Sequence, residues 1–188
     1  AIAKVEEIIN LYLHLRLRVL EKHHVKVSVM NEWTYHLMSS SIEHALNPNL
    51  EKQTIANFMY QVMRDDVTII DDTGQTRDAQ VYIAVRRAFA RDDLAFLRYH
   101  LFELYFGGLT MDNLDQIVAG FPEGLKEITA QLAYPRKERI MNYVKKRAAV
   151  FFILEDILHS HKADLKEFLR DEDKVKEAVF AACSKRYK

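Results

Sequence analysis

Strong helix breakers are so sparse in this sequence that little besides helices fits between them. In 188 residues there are five glycines and three prolines, and all but Gly124 gather at a few points: Asn47-Pro48, Asp71-Asp72-Thr73-Gly74, Gly107-Gly108, Gly120-Phe121-Pro122 and Tyr134-Pro135. Between them the apolar residues recur at helical spacing. Ile2, Val5, Ile8, Tyr12, Leu15 and Val19 predict a helix over 2–22. Trp33, Leu37, Ile42 and Leu46 predict a second over 30–46, stopped by Asn47-Pro48. A third begins after Asn49. Residues 77–108 read as helix with a break at 91–93, where aspartate favours an N-cap. Thr110 or Asp112 is expected to cap a helix ending near Ala119, and Pro122 to open the next one. The longest helix is expected from Pro135 to His161, and two short ones, near 162–170 and 172–184, finish the chain.

One stretch argues for β structure. In Leu11–Met30 the apolar residues alternate: Leu11, Leu13, Leu15, Leu17 and Val19, then Val25, Val27 and Val29. Strand periodicity is two. The intervening Glu21-Lys22-His23-His24, however, lacks the Asn-Gly or Gly-X pair of a two-residue hairpin turn, and Leu and Arg are good helix formers. The reading adopted is a helix to about Lys22 and an extended connector over His23–Val29. The run 65–76 is expected to be an Asp-rich loop or a tiny hairpin. With no internal repeat and no Gly/Ser/Pro-rich linker, the expectation is one all-α domain spanning 1–188, of about eight helices in an orthogonal or bundle arrangement.

Charge is balanced overall at 27 Lys/Arg against 27 Asp/Glu, yet unevenly placed. Residues 65–133 carry six basic and twelve acidic side chains, residues 134–188 fourteen and nine. Such asymmetry suits surfaces that attract each other, within one chain or between copies. The single Cys183 excludes an intramolecular disulfide. No apolar run approaches the ~20 residues of a membrane crossing, and no basic leader precedes an apolar core. The expected setting is therefore cytoplasmic, without membrane contact.

Motifs that carry chemistry are missing. Neither common phosphate loop is present, nor a Gly-x-Ser-x-Gly elbow, a His-x-x-x-His pair or paired Glu-x-x-His motifs. Asp71-Asp72 and Asp92-Asp93 lack the third acid of an Asp-Asp-x-x-Asp diphosphate site. No catalytic residues and no cofactor are expected. Glu155, Asp156 and His159, spaced three and four residues apart, are the nearest approach to a metal site; a histidine there also suits the helix dipole. Arg136, Lys137, Arg139, Tyr143, Lys145, Lys146 and Arg147 form a basic segment interleaved with tyrosine, a surface for a macromolecular partner. The functional expectation is a non-catalytic regulatory or adaptor protein whose partner is another protein or a second copy of itself. Two alternatives accompany it: nucleic-acid binding through 136–147, and a helical pocket for an apolar ligand or metal, near Tyr99, His100, Phe102 and Phe106 or near Glu155 and His159.

Overall fold

A computed structural model describes residues 1–69 and 74–186. Among these it contains nine α-helices and no strand: α1 (Ile2–Lys22), α2 (Val27–Leu46), α3 (Leu50–Arg64), α4 (Gly74–Val85) continued by a π turn (Arg86–Ala90), α5 (Leu94–Phe106), α6 (Leu114–Leu132), α7 (Lys137–Ser160), α8 (Leu165–Phe168) and α9 (Glu172–Arg186). None of the helices is long and apolar enough to cross a membrane. The all-α reading holds. The chain divides into two compact units, one built from 1–49 and 91–137, the other from 50–90 and 138–188.

In the first unit α1, α2, α5 and α6 pack as a ring, each against two neighbours. Its core holds Tyr12, Leu15, Val19, Met30, Trp33 and Leu37 from α1–α2 and Leu101, Phe102, Ile117 and Phe121 from α5–α6. The Trp33 and Phe121 rings meet edge-on at 6.4 Å. The alternating stretch thus resolves as helix. Residues two apart lie about 200° apart around a helix, so alternation divides the leucines between two faces: Leu15 and Val19 are buried, while Leu13 and Leu17 are 41% and 50% exposed. The connector is shorter than expected. Helix α2 starts at Val27, its first turn closed by Met30 N donating to Lys26 O at 3.0 Å. The small helix penalty of valine is outweighed by burying Met30 and Trp33 one turn on.

Local capping explains the next boundaries. Asp93 caps α5 by accepting from Phe96 N at 2.9 Å. Gly107, at φ 80, ends α5 in the left-handed region, where glycine alone escapes strain. The cap before α6 is Asn113 and neither Thr110 nor Asp112; Asn113 Oδ1 accepts from Thr110 N at 2.8 Å and its Nδ2 donates to Gly108 O at 2.7 Å.

The expected break at Gly120-Phe121-Pro122 is not there: α6 runs unbroken through it. Pro122 has no N–H, so the carbonyl of Val118 loses its usual donor. His23 Nε2 lies 2.7 Å from that oxygen. A carbonyl only accepts, so the ring is protonated at Nε2 and donates. The glycines have a separate reason. Phe106 lies against Gly120 and Gly124, where a Cβ on Gly124 would overlap its ring.

The second unit packs α3 against α4 and its π turn, burying Ile55, Met59, Met63, Val81 and Phe89, with Val144 and Phe151 from α7 also buried. Phe58 meets Phe151 edge-on at 6.0 Å and Phe89 packs on Phe152 at 4.9 Å. A smaller cluster of Ile157, Phe168 and Ala182 joins the end of α7 to α8 and α9. The π turn, which leaves Arg86 buried, has no signature in the sequence. No hairpin forms among the described part of 65–76: Gly74, Gln75 and Thr76 begin α4, while Asp71 and Asp72 lie outside the described residues.

Candidate interaction surfaces

Helix α7 carries most of the basic segment. Arg139, Lys145, Lys146 and Arg147 are exposed and Tyr143 is half-buried. Arg139, Lys145 and Lys146 make no ion pair among the described residues. The Arg147 guanidinium carbon lies over the Tyr143 ring, 3.7 Å from its centroid, a cation–π contact that restrains both side chains. Two members stand apart. Lys137 Nζ donates to Leu132 O at 2.8 Å, closing the end of α6. Arg136 is exposed in the turn before α7. Both belong to the first unit.

Neighbouring apolar side chains extend the α7 face, and these the sequence reading missed. Val150, one turn beyond Lys146, is 67% exposed. On α3, Phe58 and Val62 are 53% and 47% exposed. Glu51 of α3 reaches Lys162, just past α7, at 3.4 Å, and Phe58 meets Phe151, so α3 and α7 run antiparallel. Val62 then lies alongside the Arg147 turn. The signal available in the sequence was the apolar pair Phe58 and Val62 at i and i+4.

The Glu155, Asp156 and His159 group does not assemble. Arg186 takes Asp156 in a two-pronged pair, Nε to Oδ2 at 2.5 Å and Nη2 to Oδ1 at 2.8 Å. His159 is 79% exposed and lies 3.9 Å from Glu51. No group of three or more His, Cys, Asp or Glu side chains among the described residues has metal-holding geometry. The Arg186 contact holds the Asp156 carboxyl below the usual range. A depressed folded value means stability that is present above about pH 4 and lost as the pH falls through that value. Both side chains are about a third exposed, so the pair is worth at most ~1 kcal/mol. Asp156→Asn should lower urea-unfolding stability by that amount at pH 7, and the gap should close as the pH falls through the depressed folded value. A gap that persists undiminished in acid would mean the loss comes from packing.

Other histidines have structural partners. His36 Nδ1 lies 2.9 Å from Arg98 Nη1, which also reaches Glu32 at 2.7 Å. His100 lies 3.6 Å from Asp92, and the His161 ring stacks on Phe168 at 3.7 Å. Tyr99 and Phe102, expected near a pocket, are core side chains. Open hollows of about 220 and 560 Å³ adjoin one another along α7–α9, the larger walled by His161, Glu167, Phe168 and Glu177.

A second apolar face lies on the first unit. Ile2, Leu13 and Leu17 of α1 and Val27, Tyr35 and Leu46 of α2 are between 41% and 84% exposed. Arg16 Nε donates to Asn31 Oδ1 at 2.7 Å and sets the antiparallel register. Leu13 is thereby level with Thr34 and Tyr35, and Ile2 with the end of α2. Compared with protein-family models, with curated proteins and with solved structures, the chain matches none.

Proposed function

We propose that this chain is a non-catalytic adaptor or regulatory protein that works through protein–protein contacts, and that two copies pair through the outer face of the α1–α2 hairpin. One observation carries the reading: six large apolar side chains on adjoining helices stand in solvent, more than scattered surface leucines account for. Two helices of about twenty residues present roughly 30 by 20 Å. Pairing such faces would bury roughly 1,200 Å² in all, the lower end of the range of stable interfaces. A two-fold axis would set the same patch on itself and leave no open edge.

Sedimentation velocity over about 1–100 µM tests it, affinities in this range being what an interface of that size supports. The expected result is a concentration-dependent dimer that becomes a monomer when Leu13 and Tyr35 are both changed to Glu. Thermal melts of the two proteins should agree, because both positions are exposed. A wild-type chain that stays monomeric across the range would refute the pairing.

A further inference from the structure

The α7 face of the second unit has a chemistry of its own, and we infer that it is a docking site for an acidic amphipathic helix of a partner protein. Arg139 and Lys146 project from one side of α7 with the Tyr143–Arg147 stack beside them, and the side chain one turn on, Val150, is 67% exposed. From Arg139 to Val150 is about 16 Å, three turns of helix. Phe58 and Val62 border this strip from α3. Cations along one helix and apolar side chains along its neighbour are what a helix with carboxylates beside an aliphatic stripe would meet.

Charge complementarity decides for an anionic partner, and the apolar border decides which kind. Arg139, Lys146 and Arg147 could release only a few counterions from DNA, a salt slope of about −2.7, against about −5 to −9 for proteins with 6–10 phosphate contacts. Nor do phosphates gain anything from Phe58, Val62 or Val150, whereas apolar anchors in a charged rim are the usual anatomy of protein interfaces. The inference does not rest on pairing through α1–α2, which lies in the first unit and has its own test.

Fluorescence anisotropy with three probes tests it: a labelled helical peptide of about 18 residues with leucines at i, i+3, i+4 and i+7 flanked by glutamates, a scrambled isomer of it, and a DNA duplex of similar charge. The peptide should bind the full chain with Kd on the order of 10 µM. Arg139→Glu with Lys146→Glu should weaken it about tenfold and flatten the salt dependence. Val62→Asp with Val150→Asp should weaken it about tenfold while the salt dependence remains. Unchanged melting curves would show that both double variants still fold. Equal binding of the scrambled isomer, tighter binding of the duplex, or no peptide binding at about 1 mM would each overturn the inference.

Discussion

Replacing Gly124 with alanine is expected to destabilise the first unit by about 1–3 kcal/mol, whereas the same change at Gly120 should be neutral or stabilising by up to ~1 kcal/mol. The two glycines lie one turn apart on α6 and both face Phe106. At Gly120 the nearest atom to an added Cβ is Phe106 Cε1 at 3.5 Å, ordinary contact, so the helix gains alanine's better propensity without a clash. At Gly124 the added carbon would overlap the far edge of the Phe106 ring and come within 3.1 Å of Tyr105. Phe106 cannot swing aside cheaply. Its ring packs on Phe102 at 4.9 Å and Tyr105 at 4.8 Å and stacks over Phe121 at 6.5 Å. Moving it would open space beside Phe121, which is only 1% exposed. Urea unfolding of both variants decides the matter, since the contrast between the two positions removes the shared effect of glycine on the unfolded chain. Phe106→Leu should relieve much of the Gly124→Ala penalty. Equal effects at Gly120 and Gly124 would show that Phe106 does not constrain α6.

Helix class and most boundaries were legible because they are local. Asn47-Pro48, the Asp93 cap and Gly107 each act within one turn of the chain, and each stands where the sequence places it. What escaped was decided by contacts distant in sequence. Gly120 and Pro122 resemble a break until Phe106 and His23 are brought to them, and neither partner is deducible from α6 alone. The leucines of α1 alternate, and only the packing of α2 and α6 shows which are covered and which stand in solvent. The basic segment from Arg136 to Arg147 reads as one feature, yet Lys137 is occupied at the end of α6 and Arg147 on Tyr143. Asp156 and His159 have metal-ligand spacing, but Arg186, thirty residues on, claims the carboxylate. Phe58 and Val62 escaped for the opposite reason: helical periodicity marks an apolar side and does not tell how much of it a neighbour covers.

His23 and Pro122 should prove energetically coupled. In the native chain His23→Ala leaves the carbonyl of buried Val118 without its donor, a loss of about 1–2 kcal/mol. Pro122→Ala restores a backbone N–H at the position that normally serves that carbonyl, so α6 supplies its own donor. In that background His23→Ala should cost about 1 kcal/mol less, a coupling of the size contacting groups show. The ring's position makes this a demanding test. His23 also ends α1, its own N–H bonding to Val19 O at 2.9 Å in extended geometry, and any harm done to that cap appears equally in both backgrounds and cancels. His23→Gln, whose side-chain amide can still donate, should fall between wild type and alanine. If the two substitutions add within about 0.3 kcal/mol, the 2.7 Å contact contributes nothing to stability. Proline would then be tolerated for another reason, such as water reaching Val118. If the coupling appears, a single histidine at the α1–α2 turn is what lets α6 continue through a residue that otherwise ends helices, and it fixes where α6 lies against α1.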